Sequence, residues 1–213
     1  HRKLVGAQAS QVEKALRENL EGSLERLQTD YVDIYFCPHG ADAPEQVAFP
    51  ALQEAMDKLK EEGKIRFTAI STHTRYDEVS QTAVDSGYYD VIMPVISPTT
   101  LIADLGKAAV DSYSSQPEPP EGAKRRRRRR GRPILQMREI IRAAQKKNLG
   151  LVAMKAANDG FNPKAIHDLA RIELARDTQL SFHQVAYRWV MDQPEVHGVN
   201  IGMNTTLHLD EAL

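Results

Sequence analysis

The stretch from Leu20 to His39 changes its hydrophobic period from that of a helix to that of a strand. Its first part spaces leucines by four and three residues, as in a helix with one buried face: Leu20, Leu24 and Leu27. Its second part alternates apolar and polar positions, with apolar side chains at Val32, Ile34 and Phe36. Pro38 lacks the N–H that a central strand needs, so the strand is expected to end near Cys37. His39 then lies just beyond a strand end.

The same change of period recurs, so that helix and strand alternate five times. We predict helices at Ser10–Leu27, Ala51–Glu62, Tyr76–Ser86, Leu101–Tyr113, Ile134–Asn148, Pro163–Arg176 and Ser181–Met191. The predicted strands are Tyr31–Cys37, Ile65–Ile70, Val91–Ile96, Gly150–Met154 and Val199–Ile201. Strands joined by helical crossovers are parallel, which leaves a doubly wound sheet and a (β/α)8 barrel as architectures. The absence of Gly-x-Gly-x-x-Gly after the first strand argues against a dinucleotide-binding doubly wound domain.

Polar residues collect where the predicted strands end, at the edge where α/β folds bind ligands. These strand-end groups are His39, Ser71–His73, Ser97, Lys155 and Gly202–Asn204. Two interpretations of these residues remain open. They are ligand-binding or catalytic groups, or they are ordinary polar loop residues, since a histidine or lysine at a strand end occurs as either.

Composition excludes several other classes of protein. The 213 residues are 41% apolar and carry a net charge of -1, which indicates a globular chain with no general attraction to nucleic acid. Cys37 is the single cysteine, which excludes an internal disulfide framework and a cysteine-based zinc site, and we predict no metal. No run of 18 apolar residues and no signal sequence are visible, so we predict a cytoplasmic protein without a membrane span. The missing initiator methionine leads us to expect a truncated N-terminus.

One segment departs from this composition. Residues 114–132 are rich in proline and arginine and have no apolar anchor, so we predict a disordered insertion there. Its basic run, Lys124–Arg130, is of a kind that binds nucleic acid or an anionic surface. No aromatic residues are interleaved for base stacking, which favours a solvated loop without a dedicated nucleic-acid partner.

Four motifs, in order, resemble the aldo-keto reductase family. Ser23–Tyr35 followed by His39 is similar to its signature, and Gly63–Arg66 with the strand ending at Ser71 resembles its next segment. Gln184–Val190 with the following strand resembles its C-terminal helix–strand pair. Gly150–Lys155 resembles a subgroup whose seventh strand ends in Met-Lys.

This resemblance implies a (β/α)8 barrel that reduces aldehydes or ketones with NADP(H), NAD being an alternative. The family's catalytic set is Asp, Tyr, Lys and His, of which only the histidine maps here, to His39. We therefore expect one incomplete barrel domain over residues 1–213, with about five of eight strands and little activity alone. The strands Tyr31–Cys37 and Val199–Ile201 would then expose edges that a complete barrel pairs.

The resemblance also implies the cofactor-binding residues. Ser71 and Thr72 align with a Ser-Asn pair that holds the nicotinamide carboxamide, and Met154 aligns with the aromatic residue that stacks on the nicotinamide. Lys155 is placed to reach the cofactor phosphates. The start of the last helix suits the adenosine 2'-phosphate, and it consists of Gly202, Met203, Asn204 and Thr205. Alternatives are a non-catalytic cofactor-binding or regulatory member of the fold, and an anionic-surface binder acting through Lys124–Arg130. The substrate and the oligomeric state are left open.

Overall fold

The structure is a computed structural model, and it describes residues 7–37, 40–98, 100, 137–157, 180–203, 205–206 and 209. Its helices are α1 (Ala9–Leu27), α2 (Pro44–Val47), α3 (Pro50–Glu61), α4 (Tyr76–Ser86), α5 (Met137–Lys146) and α6 (Phe182–Met191). Its strands are β1 (Val32–Phe36), β2 (Ile65–Ser71), β3 (Val91–Met93), β4 (Gly150–Met154) and β5 (Gly198–Asn200). The two other predicted helices and the predicted insertion at 114–132 lie outside the described residues.

The strands follow one another in the sheet in the order β1-β2-β3-β4-β5. The pairings of β1 with β2, β2 with β3 and β3 with β4 are all parallel. A doubly wound sheet reverses its strand order, whereas a (β/α) barrel keeps the order of the chain. The predicted fold class is confirmed: the described residues contain five strands of an incomplete (β/α)8 barrel.

The chain divides into two compact units, residues 1–94 with 140–152 and residues 95–139 with 153–213. In the first unit, α1 and α3 pack on each other and against β1 and the start of β2. The largest buried side chains of this cluster come from both helices and from the start of β2: Leu16, Leu20, Leu52, Met56, Leu59 and Ile65. Burying each such side chain contributes about 1.5–3 kcal/mol.

Helix α1 forms because its apolar residues repeat at the predicted spacing, and four of them are buried: Val12, Leu16, Leu20 and Leu24. Leu27, the fifth member of the predicted stripe, is 62% exposed, because the helix ends there and the chain turns through Gln28 with a φ of 55°. The helix begins at Ala9, one residue before the predicted start at Ser10. At this end the Gln8 backbone N–H donates to the Gln11 side chain over 3.3 Å.

The burial of β1 differs from a simple reading of its alternation. Tyr35 and Cys37 are the positions that pack among the core residues, at 7% and 2% exposure, whereas Ile34 is 41% exposed. A barrel strand has one face toward the helices and one toward the barrel interior, so its apolar residues occupy both faces.

Pro94 ends β3 three residues before the predicted end of the strand. Beyond it, Val95 forms an isolated parallel bridge with Met154, and the Ile96 N–H donates to the Met154 carbonyl over 3.3 Å. The proline therefore interrupts the ladder, as its missing N–H predicts.

Candidate functional site

The end of β1 leads into the segment that contains His39. Pro38 and His39 lie outside the described residues, so the catalytic role of His39 stays a prediction. The residues on either side are held by backbone hydrogen bonds. The Cys37 N–H donates to the Ala69 carbonyl over 2.9 Å, and the Gly40 N–H donates to the Cys37 carbonyl over 3.0 Å. Burial raises the pKa of the Cys37 thiol to about 12, so this thiol is no nucleophile near neutral pH.

Gly40 brings the chain very close to the end of β2. Its φ of +60° lies in the left-handed region, and a Cβ added there would fall 2.2 Å from the Ser71 carbonyl oxygen. The Ala41 N–H donates to that same carbonyl over 2.8 Å. Glycine is thus required at position 40 both by its conformation and by the approach of Ser71.

Thr72 and Thr74 complete a turn after β2. The Thr72 hydroxyl donates to the Thr74 carbonyl over 2.5 Å and accepts from the Thr74 N–H over 3.3 Å. Thr72 is 2% exposed. Its hydroxyl proton is therefore committed to the turn, which weakens the case for Thr72 as a hydrogen-bond donor to a carboxamide.

Ser71 differs from Thr72 in that its side chain is half-buried. Within the described residues, the Ser71 hydroxyl makes no hydrogen bond. A half-buried hydroxyl at the C-terminal end of a parallel strand, pressed against a glycine, suits a polar group of a ligand.

A side-chain contact joins the loops that follow β1 and β2. The Thr74 hydroxyl donates to the Asp42 carbonyl over 2.7 Å and lies 3.3 Å from an Asp42 carboxylate oxygen. Ala41 and Thr72 form a parallel bridge beside it. We call the set Gly40, Ala41, Asp42, Ser71, Thr72 and Thr74 the β1–β2 junction.

In the second unit, Met154 and Lys155 end β4. Met154 is 5% exposed, so little of its thioether faces solvent. Lys155 has a φ of 57°, which is unusual for a residue with a side chain, and its Nζ lies 3.5 Å from the Met154 sulfur. Partial burial lowers the pKa of Lys155 through desolvation. Backbone conformations of this kind are often found at functional sites.

The predicted phosphate-binding residues follow β5. Gly202, Met203 and Thr205 are exposed, and Asn204 lies outside the described residues. Their role as an anion site stays a prediction. Ser97, another predicted strand-end group, is 1% exposed, and its hydroxyl accepts from the Thr100 N–H over 3.2 Å within a local turn.

Four members of the junction were not predicted from the sequence: Gly40, Ala41, Asp42 and Thr74. A glycine directly after a predicted strand end indicates a close backbone approach, and that signal was available at Gly40. The hydrogen bond between Thr74 and Asp42 joins residues 32 positions apart, and no local pattern indicates it.

Two further properties of the described part of the chain concern site chemistry and environment. It contains no group of three or more His, Cys, Asp or Glu side chains placed to hold a metal ion. None of its helices combines the length and apolar character needed to span a membrane.

Comparison with known proteins identifies the class of this fold. The sequence model of the Aldo/keto reductase family matches residues 3–101, which is just under half of the chain. That range includes the whole β1–β2 junction. No curated protein matches the sequence.

Similar solved structures are aldo-keto reductases. One is a proposed aldo-keto reductase from Pseudomonas aeruginosa, with a TM-score of 0.56, 18% identity, and coverage of 96% of this chain and 57% of the other. A thermostable aldo-keto reductase in complex with the inhibitor epalrestat has a TM-score of 0.56 and 19% identity, with coverages of 94% and 60%. An aldo-keto reductase from Klebsiella pneumoniae in complex with NADPH has a TM-score of 0.54 and 20% identity, with coverages of 92% and 57%.

These similarities show that the chain has the aldo-keto reductase fold. The chain spans between 57% and 60% of the length of these three structures.

Proposed function

We propose that this chain is part of an aldo-keto reductase that binds NADP(H) and serves the reduction of an aldehyde or ketone to an alcohol. The observation that carries the proposal is the half-buried Ser71 hydroxyl. It makes no hydrogen bond within the described residues. Ser71 is the last residue of β2, and this strand lies inside the region that the family model matches. The bound cofactor would supply the hydride for the carbonyl carbon.

The chain's own residues would bind and orient the nicotinamide and polarise the substrate. Ser71 would hold the carboxamide of the nicotinamide, and Thr72 would support it by holding the turn. His39 would donate a hydrogen bond to the oxygen on which negative charge develops. Lys155 and the segment at Gly202–Thr205 would contact the phosphates, since a cation and helix-start N–H groups both favour anions.

We also propose that the chain alone turns over slowly. The aspartate, tyrosine and lysine of the family's catalytic set have no counterpart assigned in this sequence, and a histidine by itself cannot donate the required proton in the family's manner. Membership of the Met-Lys subgroup, with Met154 near the nicotinamide ring, belongs to the same proposal. Met154 is mostly buried, so a contact with the ring would involve only the small part of its side chain that is exposed.

Fluorescence titration with NADPH tests the cofactor part of this proposal. We expect saturable binding by the wild type and a loss of about three- to tenfold in affinity for Ser71→Ala, because one neutral hydrogen bond is removed. Ser10→Ala, on the exposed surface of α1, is the matched control and should leave binding unchanged. The absence of saturable binding by the wild type contradicts the proposal.

The contribution of Lys155 is tested by its salt dependence. Lys155→Gln should weaken NADPH binding and reduce its sensitivity to salt, because a cation that contacts phosphate is screened by ions. Lys146→Gln on the exposed surface of α5 is the control.

Rapid NADPH oxidation with a panel of aldehydes would contradict the expectation of little activity in this chain alone.

A further inference from the structure

Gly40 differs from two other glycines that have a positive φ. Gly40, Gly63 and Gly87 have φ values of +60°, +72° and +65°. A Cβ added at Gly63 or Gly87 would meet nothing within 4 Å. At Gly40 it would meet the Ser71 carbonyl oxygen at 2.2 Å and the Ser71 hydroxyl oxygen at 2.7 Å. Ordinary contacts of this kind begin at 3.4 Å, so the two segments would have to separate by about 1 Å.

The β1–β2 junction would transmit this displacement to Ser71. On the Gly40 side, the chain is tied to Cys37 through the Gly40 N–H and to Ser71 itself through the Ala41 N–H. Two residues further on, the Asp42 carbonyl accepts from the Thr74 hydroxyl, which holds the two loops together. Because these hydrogen bonds tie the Gly40 segment to the end of β1 and to the loop after β2, part of the separation forced by an added methyl group would displace Ser71.

The Ser71 hydroxyl responds to such a push because no hydrogen bond within the described residues holds it in place. Within the described residues, its position is set by the end of β2 and by the close approach of Gly40. We propose that Gly40 is a positioning residue, which sets the place of the Ser71 hydroxyl and thereby the binding of the nicotinamide half of the cofactor. This inference rests on the proposed function, in which Ser71 holds the carboxamide.

The test compares Gly40→Ala with Gly63→Ala, which shares the strained φ and lacks the close approach. Two ligands are titrated into the 213-residue chain. NADPH contains the nicotinamide, and adenosine 2',5'-bisphosphate contains only the adenosine and its phosphates. We expect Gly40→Ala to lose about tenfold in NADPH affinity, the equivalent of about 1.4 kcal/mol, and to keep its affinity for the bisphosphate. Gly63→Ala should bind both ligands as the wild type does.

A general loss of structure would weaken the binding of both ligands. Equal losses of affinity for NADPH and for the bisphosphate therefore overturn the positioning role. Unchanged NADPH binding by Gly40→Ala, with normal binding by the wild type, also overturns it. If the wild type fails to bind NADPH at all, the proposed function fails, and the role of Gly40 fails with it. These outcomes distinguish the two proposals.

Thr74→Val supplies a second variant, because it removes the hydrogen bond to Asp42 with little change in volume and without backbone strain. It should weaken NADPH binding by about threefold, again without an effect on the bisphosphate. If Gly40→Ala does not fold, this variant decides: wild-type NADPH affinity in Thr74→Val overturns the proposal.

Discussion

Ile34 of β1 and Phe67 of β2 are register partners in the parallel sheet, and both are exposed, by 41% and 48%. Large apolar side chains paired on one sheet face are normally covered. In a complete (β/α)8 barrel, the face opposite the helices points into a packed interior. The described residues of the chain therefore leave this apolar pair largely uncovered.

Because Ile34 is exposed, we expect its replacement by alanine to lower the free energy of unfolding less than the same replacement at a buried isoleucine. Ile70→Ala should lower the free energy of unfolding by about 2–5 kcal/mol, because Ile70 in β2 is 2% exposed. Ile34→Ala should cost less than half as much, because its side chain already contacts water. Urea denaturation followed by circular dichroism measures both changes. Equal costs would show that Ile34 is covered in solution.

The ion pair between Arg17 on α1 and Glu62 after α3 leads us to expect that the free energy of unfolding depends on pH. Their two hydrogen bonds, Nη1 to Oε2 and Nη2 to Oε1, are both 2.6 Å long. The hydrogen bond from Arg17 is the main cause that holds the pKa of Glu62 below its usual value of 4.5. A lowered carboxylate pKa stabilises the fold above the unfolded-state value, and this contribution is lost as the pH falls through the folded-state value.

Arg17→Met should therefore lower the urea midpoint near neutral pH, and its difference from the wild type should shrink as the solution is acidified below 4.5. The pair lies at the surface, so a modest effect is expected. Arg142→Met on α5 is the control, since Arg142 is an exposed arginine outside this pair. A difference that stays constant with pH would contradict the assignment of the stabilisation to the ion pairs that Arg17 forms with Glu62 and Glu13.

Cys37 predicts slow chemical labelling. Its thiol is 2% exposed, and burial raises its pKa to about 12, so the thiolate fraction near neutral pH is very small. A disulfide reagent should modify the native protein at least about a hundredfold more slowly than the protein in denaturant. Equal rates in the two states would show that the end of β1 opens readily.

Asp90 lies just before β3 and accepts hydrogen bonds from β2, so we expect its removal to lower the free energy of unfolding. One of its carboxylate oxygens accepts from the Thr68 N–H over 2.8 Å and from the Thr68 hydroxyl over 3.1 Å. Thr68 is 1% exposed, so Asp90→Ala leaves buried donors with fewer partners and should cost about 1–3 kcal/mol. Asp85→Ala, on α4, should cost less than about 0.5 kcal/mol. Similar midpoints for the two variants in urea denaturation would contradict this role of Asp90.

The sequence was a good guide to the helices and strands because their signals are local. The leucine spacing in α1, the glycines after α3 and α4 and the proline after β3 act within a few residues of the chain. Errors arose at the ends of elements, as at Ser10, where Gln8 and Gln11 form the observed contact at the helix start. The short helix α2 (Pro44–Val47) was not predicted. The inward face of β1 was also ambiguous, because both faces of a barrel strand carry apolar residues.

The candidate site was only partly predictable. Ser71 could be indicated from its position at a strand end and from the family resemblance. The different states of the neighbouring Ser71 and Thr72 hydroxyls could not, because they depend on the turn to Thr74. Similarly, the requirement for glycine at position 40 depends on the distance to Ser71, which lies 31 residues further along the chain.

By itself, the sequence determined the α/β class, the parallel arrangement of strands and the polar strand ends at which ligands bind. These follow from hydrophobic period and from crossover geometry, which are properties of short segments. Only the tertiary structure decided which polar groups at those ends are already occupied and which are available to a ligand. That choice depends on backbone approaches of a few ångströms between segments far apart in the chain, of which the contact of Gly40 with Ser71 is the clearest case.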